Sequence, residues 1–267
     1  MIYTAEPLPA LAPFVTSIGY QQADFPHAGE RAVPTGGMQL LVNLRDDHLH
    51  TYDDGGVQRC SGAAVQGAWA GPSVIDPAEQ RAVLWVAFRP GGAYPFFPAP
   101  ADALRGQLAP LAELWGRDGA VLRERLLAAG SPEEMLRTVQ QALVARAARP
   151  LEPDPAIAAA TARLHRGRPV AEVADGLGWT PRGLFRRFTA QVGLSPKRFA
   201  RVRRLQRLLR LAGPSGDRDW ARFAAEAGYT DQAHMIHDFR AIAGMRPGEY
   251  APRSPAELNH VPIPTSG

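Results

Sequence analysis

The chain has 267 residues, with 30 Lys and Arg against 26 Asp and Glu and a net charge of +4. Its length suits two domains, and it holds no 18-residue apolar run that would span a membrane. Met1 to Glu6 lacks the basic and apolar regions of a signal peptide, so a cytoplasmic location is expected. The single cysteine, Cys60, excludes a disulfide framework and a cysteine metal site. With no second cysteine nearby to resolve an oxidised thiol, it reads as a small buried hydrophobe.

Residues 1–100 read as strands separated by turns. Met38 to Leu44 is a buried strand, Asp53-Asp54-Gly55-Gly56 a turn and Ala82 to Phe88 a second buried strand. Gly and Pro recur at intervals that suit a barrel or a sandwich. His48 and His50 form an HxH pair of the kind that holds metals in cupins. A metal site would want a Glu shortly after and a further His. Tyr52, Asp53 and Asp54 follow instead, and no His lies between His50 and His165. The pair therefore reads as two exposed histidines near a turn, and no metal or cofactor is assigned. Trp69, Trp85, Phe88, Tyr94, Phe96 and Phe97 are either core or the lining of a small-molecule pocket. Trp69, Trp85, Phe88 and Arg89 are the effector candidates, with Arg89 facing an anionic effector or a local carboxylate.

From Asp118 the pattern turns helical. Val121 to Ala128 is one helix, and Ser131-Pro132-Glu133-Glu134 is a capping box opening another that ends near Ala148. Leu122, Leu126, Met135, Leu136, Val139, Leu143 and Val144 either pack on the β domain or form the surface of a homodimer. Residues 149–154 are a proline-stiffened linker, and residues 251–267, proline-rich and poor in apolar side chains, are expected to be a disordered tail.

Between these segments the chain repeats itself. Ala171, Ala174, Gly178, Phe188, Ala190, Gly193 and Pro196 recur as Ala221, Ala224, Gly228, Phe239, Ala241, Gly244 and Pro247. Such self-similarity must be read before anything else, and two copies make a duplicated supersecondary unit rather than a solenoid. In the first copy Val170 to Leu177 is a short helix stopped by Gly178. Thr180 then supplies an N-cap hydroxyl and Pro181 the first helical residue. The next helix runs to Val192, and its apolar stripe of Leu184, Phe188 and Val192 must pack inward. A short helix, a tight turn and a striped second helix make a helix-turn-helix. In the second copy Trp220 to Ala227 is the first helix and Gly228 the stop. Asp231 caps the helix from Gln232 to Ile242, which buries Met235, Phe239 and Ile242. The arginine-laden helix Pro196 to Leu211 joins the two, long enough to set them roughly one DNA turn apart.

The run Gly228-Tyr229-Thr230-Asp231-Gln232-Ala233-His234, with Phe239-Arg240, Gly244-Met245-Arg246-Pro247 and Tyr250, resembles the signature of AraC/XylS-type transcriptional regulators. The resemblance spans the paired helix-turn-helix module, residues 155–250. The run Phe88 to Phe97, followed by Leu111 to Trp115, is similar to one branch of the cupin-like sensor domains of such regulators. Together they imply an α+β chain. Residues 1–148 would be a cupin-like β-barrel with flanking helices, for sensing or dimerisation. An all-α DNA-binding domain of two helix-turn-helix units joined by a long helix would follow. They imply double-stranded DNA, a small-molecule effector and RNA polymerase as partners, and no catalytic role.

The charge agrees. Residues 155–253 carry 18 Arg and Lys against 8 Asp and Glu, while residues 1–154 carry 12 against 17, a cationic bias suited to a polyanion. Rotation by about 100° per residue sets Arg182, Phe185, Arg186 and Thr189 away from the stripe of the first recognition helix. The arginines suit guanine and Phe185 a thymine methyl, although Phe185 is equally readable as core. The corresponding face of the second unit is Ala233, Ile236, His237 and Arg240, with Gln232 at the helix start. It is smaller and less charged. Arg187, Lys197, Arg198, Arg201 and Arg240 are the phosphate candidates. Two other functions stay open: a cupin-type metalloenzyme carrying a DNA-targeting module, which the missing ligands disfavour, and an effector-independent DNA binder.

Overall fold

The computed structural model describes residues 1–53, 56–214 and 218–263; the expected turn at Asp54-Gly55 lies outside them. The N-terminal half is built on ten strands: β1 (Ile2–Ala5), β2 (Val15–Gln22), β3 (Glu30–Ala32), β4 (Gln39–Asn43), β5 (His48–Asp53), β6 (Gly56–Ser61), β7 (Ala63–Gln66), β8 (Ser73–Ile75), β9 (Ala82–Phe88) and β10 (Leu108–Pro110). Helices α1 (Leu111–Trp115), α2 (Arg117–Leu127) and α3 (Pro132–Ala145) follow. The C-terminal half holds α4 (Pro155–His165), α5 (Val170–Asp175), α6 (Pro181–Val192), α7 (Pro196–Ala212), α8 (Trp220–Ala227) and α9 (Gln232–Ala243), then a last strand, β11 (His260–Pro262).

Two antiparallel sheets face each other, in the orders β1-β2-β9-β4-β7-β10 and β11-β3-β8-β5-β6. They are not closed into the expected barrel, because no ladder joins their edges among the described residues. The chain passes from one sheet to the other between β6 and β7 at Gly62, where a Cβ would stand 2.9 Å from the Asp46 carbonyl oxygen. Alternation assigns the faces. Leu49 and Cys60 are buried toward the other sheet in a small cluster with Ala64 and Leu108. Leu40, Val42, Leu84 and Val86 are buried in the main core, which α1, α2 and α3 cover by packing on β1, β2 and β7.

That packing removes the candidate dimer surface. Leu122, Leu126, Leu136, Val139 and Leu143 are at most 3% exposed, Met135 is half-buried, and only Val144 of the seven is exposed. The apolar stripe was needed to cover the sheet. The Ser131 hydroxyl accepts from the Glu134 amide as a cap should. The Glu134 carboxylate reaches the Gly130 amide at 2.8 Å rather than that of Ser131.

The tail is not the disordered segment expected, since residues 260–262 form a strand. Strand β11 pairs with β3, so the β domain recruits residues from beyond the helices. Glu30, fully buried, accepts from Arg253 at 2.9 Å and from His27 at 2.9 Å and contacts His260. Burial alone would push the Glu30 carboxyl up, but bonding to His260 and His27 and the Arg253 charge hold it below the usual carboxylate range. Composition hid this segment because its order rests on ladder bonds, the buried Glu30 charge and a single core side chain, Val261, rather than on a run of apolar residues.

Besides β11 and Arg253, several further contacts hold the halves together among the described residues. On α7, Arg203 donates to the Thr35 carbonyl at 2.9 Å, and Gln206 donates to the Pro34 carbonyl and the Asn259 side chain, both at 2.7 Å. In the linker, Arg149 donates to the Tyr94, Phe97 and Pro98 carbonyls and stacks on Tyr94. Another contact involves α6 and is described below. Among the described residues no helix is long and apolar enough to cross a membrane.

Candidate nucleic-acid interface

Each unit is folded by the same local devices. Thr180 caps α6 by accepting from the Gly183 amide at 3.0 Å, and Asp231 caps α9 by accepting from the His234 amide at 2.7 Å. The turn before each recognition helix begins at a glycine with positive φ, +65° at Gly178 and +85° at Gly228, a conformation that only glycine adopts without strain. Trp179 and Tyr229 follow as plugs, and Leu184, Phe188 and Val192 in α6 match buried Met235, Phe239 and Ala243 in α9, where Ile242 is buried as well.

The candidate DNA-facing residues stand as expected with three exceptions, two of them on the recognition helices. Arg182, Phe185 and Arg186 are exposed on α6, with Phe185 at 53%. Thr189 is not available: it is 5% exposed and its hydroxyl donates to the Phe185 carbonyl at 2.6 Å. The C-terminal end of α6 packs against the 3-10 turn Ala101–Leu104 of the β domain, which no sequence periodicity reveals. On α9, Gln232, Ala233, His237 and Arg240 are exposed, whereas Ile236 is half-buried against the core.

The third exception is Arg201, a phosphate candidate on α7. Its Nε and Nη2 donate to one oxygen of Asp238 at 3.0 and 2.6 Å, and Asp238 is 1% exposed. It is therefore a brace between α7 and α9, not a free cation. Asp238 aligns in the repeat with exposed Arg187, whose guanidinium lies 4.8 Å from the Trp179 ring. Sequence reading counted the positive charge without seeing its buried partner. Lys197, Arg198, Arg187 and Arg240 remain exposed. Arg203 and Arg207 are spent inside: Arg207 donates to the Ala227 carbonyl at 2.8 Å and to that of His165.

Both recognition helices end on the β domain. They close with equivalent glycines, Gly193 and Gly244, at φ +86° and +67°. A Cβ on Gly193 would stand 2.9 Å from the Ala68 Cβ, and one on Gly244 2.6 Å from the Pro72 Cβ. One segment, residues 68–72, thus touches the same point of both units. Gly244→Ala is expected to cost about 1–3 kcal/mol, from the left-handed backbone alone, and to loosen this contact further. Urea unfolding measures the first effect, and faster proteolysis of residues 68–72 the second.

His165 closes α4 beside the arginines of α7. Its Nδ1 accepts from Arg203 Nε at 3.1 Å. Burial first, then the charges of Arg203, Arg210, Arg207 and Arg166, lowers its pKa from 6.5 to about 4. On acidification the unfolded chain takes up this proton before the folded one. His165 therefore costs no stability above about pH 6.5, and the protein loses stability progressively as the pH falls from there to about 4. His165→Gln should flatten that part of the profile in denaturant titrations at pH 7 and pH 5. An unchanged slope would remove His165 as its source.

The effector candidates are dispersed. Trp69 lines a cavity of about 180 Å³ between the two sheets. Trp85 instead covers Gly19, where a Cβ would stand 2.3 Å from its ring. Phe88 is core, packed on Phe96 and Phe97. Arg89 donates to the Ala12 carbonyl at 3.2 Å and, with Phe88, borders a cleft of about 920 Å³ between the halves. Missed in the sequence were Thr51 and Ser73, whose buried hydroxyls have no partner, and Gln80, whose Nε2 has none. All three line the inter-sheet cavity. The signal was there only as unremarkable polar residues in strands.

A chain with a two-sheet N-terminal domain and a duplicated helix-turn-helix braced by one long helix is a two-domain DNA-binding protein. Residues 173–253 match the family model described as a helix-turn-helix domain, and residues 3–110 match a domain of unknown function, DUF6597. The C-terminal module is thus an AraC-type helix-turn-helix domain. No curated protein matches the chain significantly. Among solved structures it is similar to ToxT from Vibrio cholerae in the P21 form, at 11% identity and TM-score 0.42 over 94% of this chain and 96% of that one. ToxT from Vibrio cholerae O395 gives 12% and 0.40 over 93% and 95%. Unsaturated fatty acid bound wild-type ToxT from Vibrio cholerae strain SCE256 gives 8% and 0.39 over 93% and 92%.

Proposed function

We propose that the chain is a one-component regulator that reads two successive major grooves with α6 and α9, under control of a small molecule held by its N-terminal domain. The observation that carries this reading is the shared docking of Gly193 and Gly244 on residues 68–72. A segment that touches both recognition helices sets their relative placement, and two helices in successive grooves tolerate little error in it. RNA polymerase is the expected further partner once the chain is on DNA.

The inter-sheet cavity is the effector site in this reading. Gly67, Trp69 and Ser73, which flank or belong to the docking segment, line it. None of its lining residues is Arg or Lys, while Asp76 and Glu79 are among them. An uncharged or cationic molecule with several hydrogen-bonding groups suits it better than an acid, because the Thr51 and Ser73 hydroxyls and Gln80 amide lack partners.

Binding-site selection with the full chain tests the groove reading. It should return two unlike elements about one helical turn apart, without internal palindrome, and with more information in the element read by α6. A strict palindrome, or equal information in both elements, overturns it.

A further inference from the structure

We infer that His48, His50 and Glu79 form a binding site for a divalent first-row transition ion. In strand β5 these histidines alternate with Leu49 and Thr51. Leu49 is buried against the other sheet, so both imidazoles stand on the opposite, outer face. Their rings lie 4.8 Å apart, nearly perpendicular.

The carboxylate arrives from far along the chain. Past the pairing of Tyr52 with Val74, β8 gives way to the 3-10 turn Pro77–Gln80, capped by Asp76. Glu79 swings over the open edge of β5. There its Oε2 accepts from the His50 amide at 2.6 Å, and its Oε1 meets His50 Nδ1. Donor atoms of the three side chains all lie within 4.8 Å of one another, with Glu79 buried and both histidines half-buried. The lack of a Glu shortly after the pair and of a further His made these residues read as exposed histidines; the turn supplies a Glu from 29 residues away.

Two imidazoles and a carboxylate are a donor set for ions such as zinc. Tetrahedral coordination at about 2.1 Å places donors roughly 3.4 Å apart, which small side-chain rotations achieve here. Glu79 need not abandon the strand edge, because its second oxygen keeps the His50 amide. The His48 ring has no hydrogen-bond partner among the described residues, so a nitrogen is free to bind without breaking anything. The ion would tie β5 to the turn that also carries Gln80, on the wall of the inter-sheet cavity.

The test is calorimetric titration of ZnCl2 into the full chain after chelator treatment and removal of the chelator. One ion per chain is expected. His48→Ala should weaken binding at least about 10-fold while leaving the unfolding midpoint unchanged, since His48 makes no side-chain hydrogen bond. Glu79→Gln should weaken it about 10- to 100-fold. No binding by the unaltered chain, or binding that His48→Ala leaves intact, overturns the site.

Discussion

Arg201→Ala is expected to destabilise the protein by about 3 kcal/mol, the low end of the range for breaking a buried ion pair. The Asp238 side chain is 2% exposed and that of Arg201 37%. Asp238 receives both Arg201 hydrogen bonds on one oxygen, and its other oxygen has no hydrogen-bond partner, with His234 Nε2 at 3.8 Å. Without Arg201 a carboxylate is left in the core with no hydrogen bond among the described residues, only the His234 imidazole and the Tyr229 phenol interacting with it at longer range. The reverse change, Asp238→Ala, releases an arginine that already reaches water, so it should cost distinctly less. The two single variants, measured by urea unfolding, should therefore differ in that order. Equal losses, or a loss under about 1 kcal/mol for Arg201→Ala, would show that Asp238 is not held by this pair. Because the pair ties α9 to α7, Arg201→Ala should also weaken DNA binding through misplacement of the second recognition helix, on every sequence alike.

What was legible in the sequence was whatever repeats or caps locally. The glycines, the N-caps Thr180 and Asp231 and the two apolar stripes each act within a few residues, so periodicity and spacing place α5, α6, α8 and α9 closely. Long-range partners are written nowhere in that pattern. The His50–Glu79 contact, the Arg201–Asp238 brace and the pairing of β11 with β3 span 29, 37 and roughly 230 residues, and each changed the reading of a residue. Thr189 illustrates the limit: helical rotation put it on the outer face, yet it is only 5% exposed on a helix that packs against Ala101–Leu104. Closure of the sheets was likewise invisible, since strand alternation is the same in a barrel and in a sandwich.

Arg186→Ala should lower DNA affinity by about 1–3 kcal/mol, on the order of 5- to 150-fold, and erase preference at one or two base pairs. On α6 the exposed face left with Thr189 buried is Arg182, Phe185 and Arg186, and neither guanidinium has a hydrogen-bond or ion-pair partner among the described residues. A guanidinium free of protein partners pays little to meet guanine bidentately, and Phe185 is exposed where an apolar side chain gains most from a thymine methyl. Lys197, exposed at the start of α7, is a phosphate contact by the same logic; Lys197→Ala should weaken all sequences about equally and reduce the salt slope by about one. On α9 the matching positions hold Ala233, half-buried Ile236 and His237, so His237→Ala should cost less than Arg186→Ala, because an imidazole offers fewer donors than the fork of a guanidinium. Selections run on the three variants separate base contacts from phosphate contacts directly. If Arg186→Ala weakened every sequence equally, Arg186 would join Lys197 on the backbone, and specificity in the first unit would fall to Arg182 and Phe185.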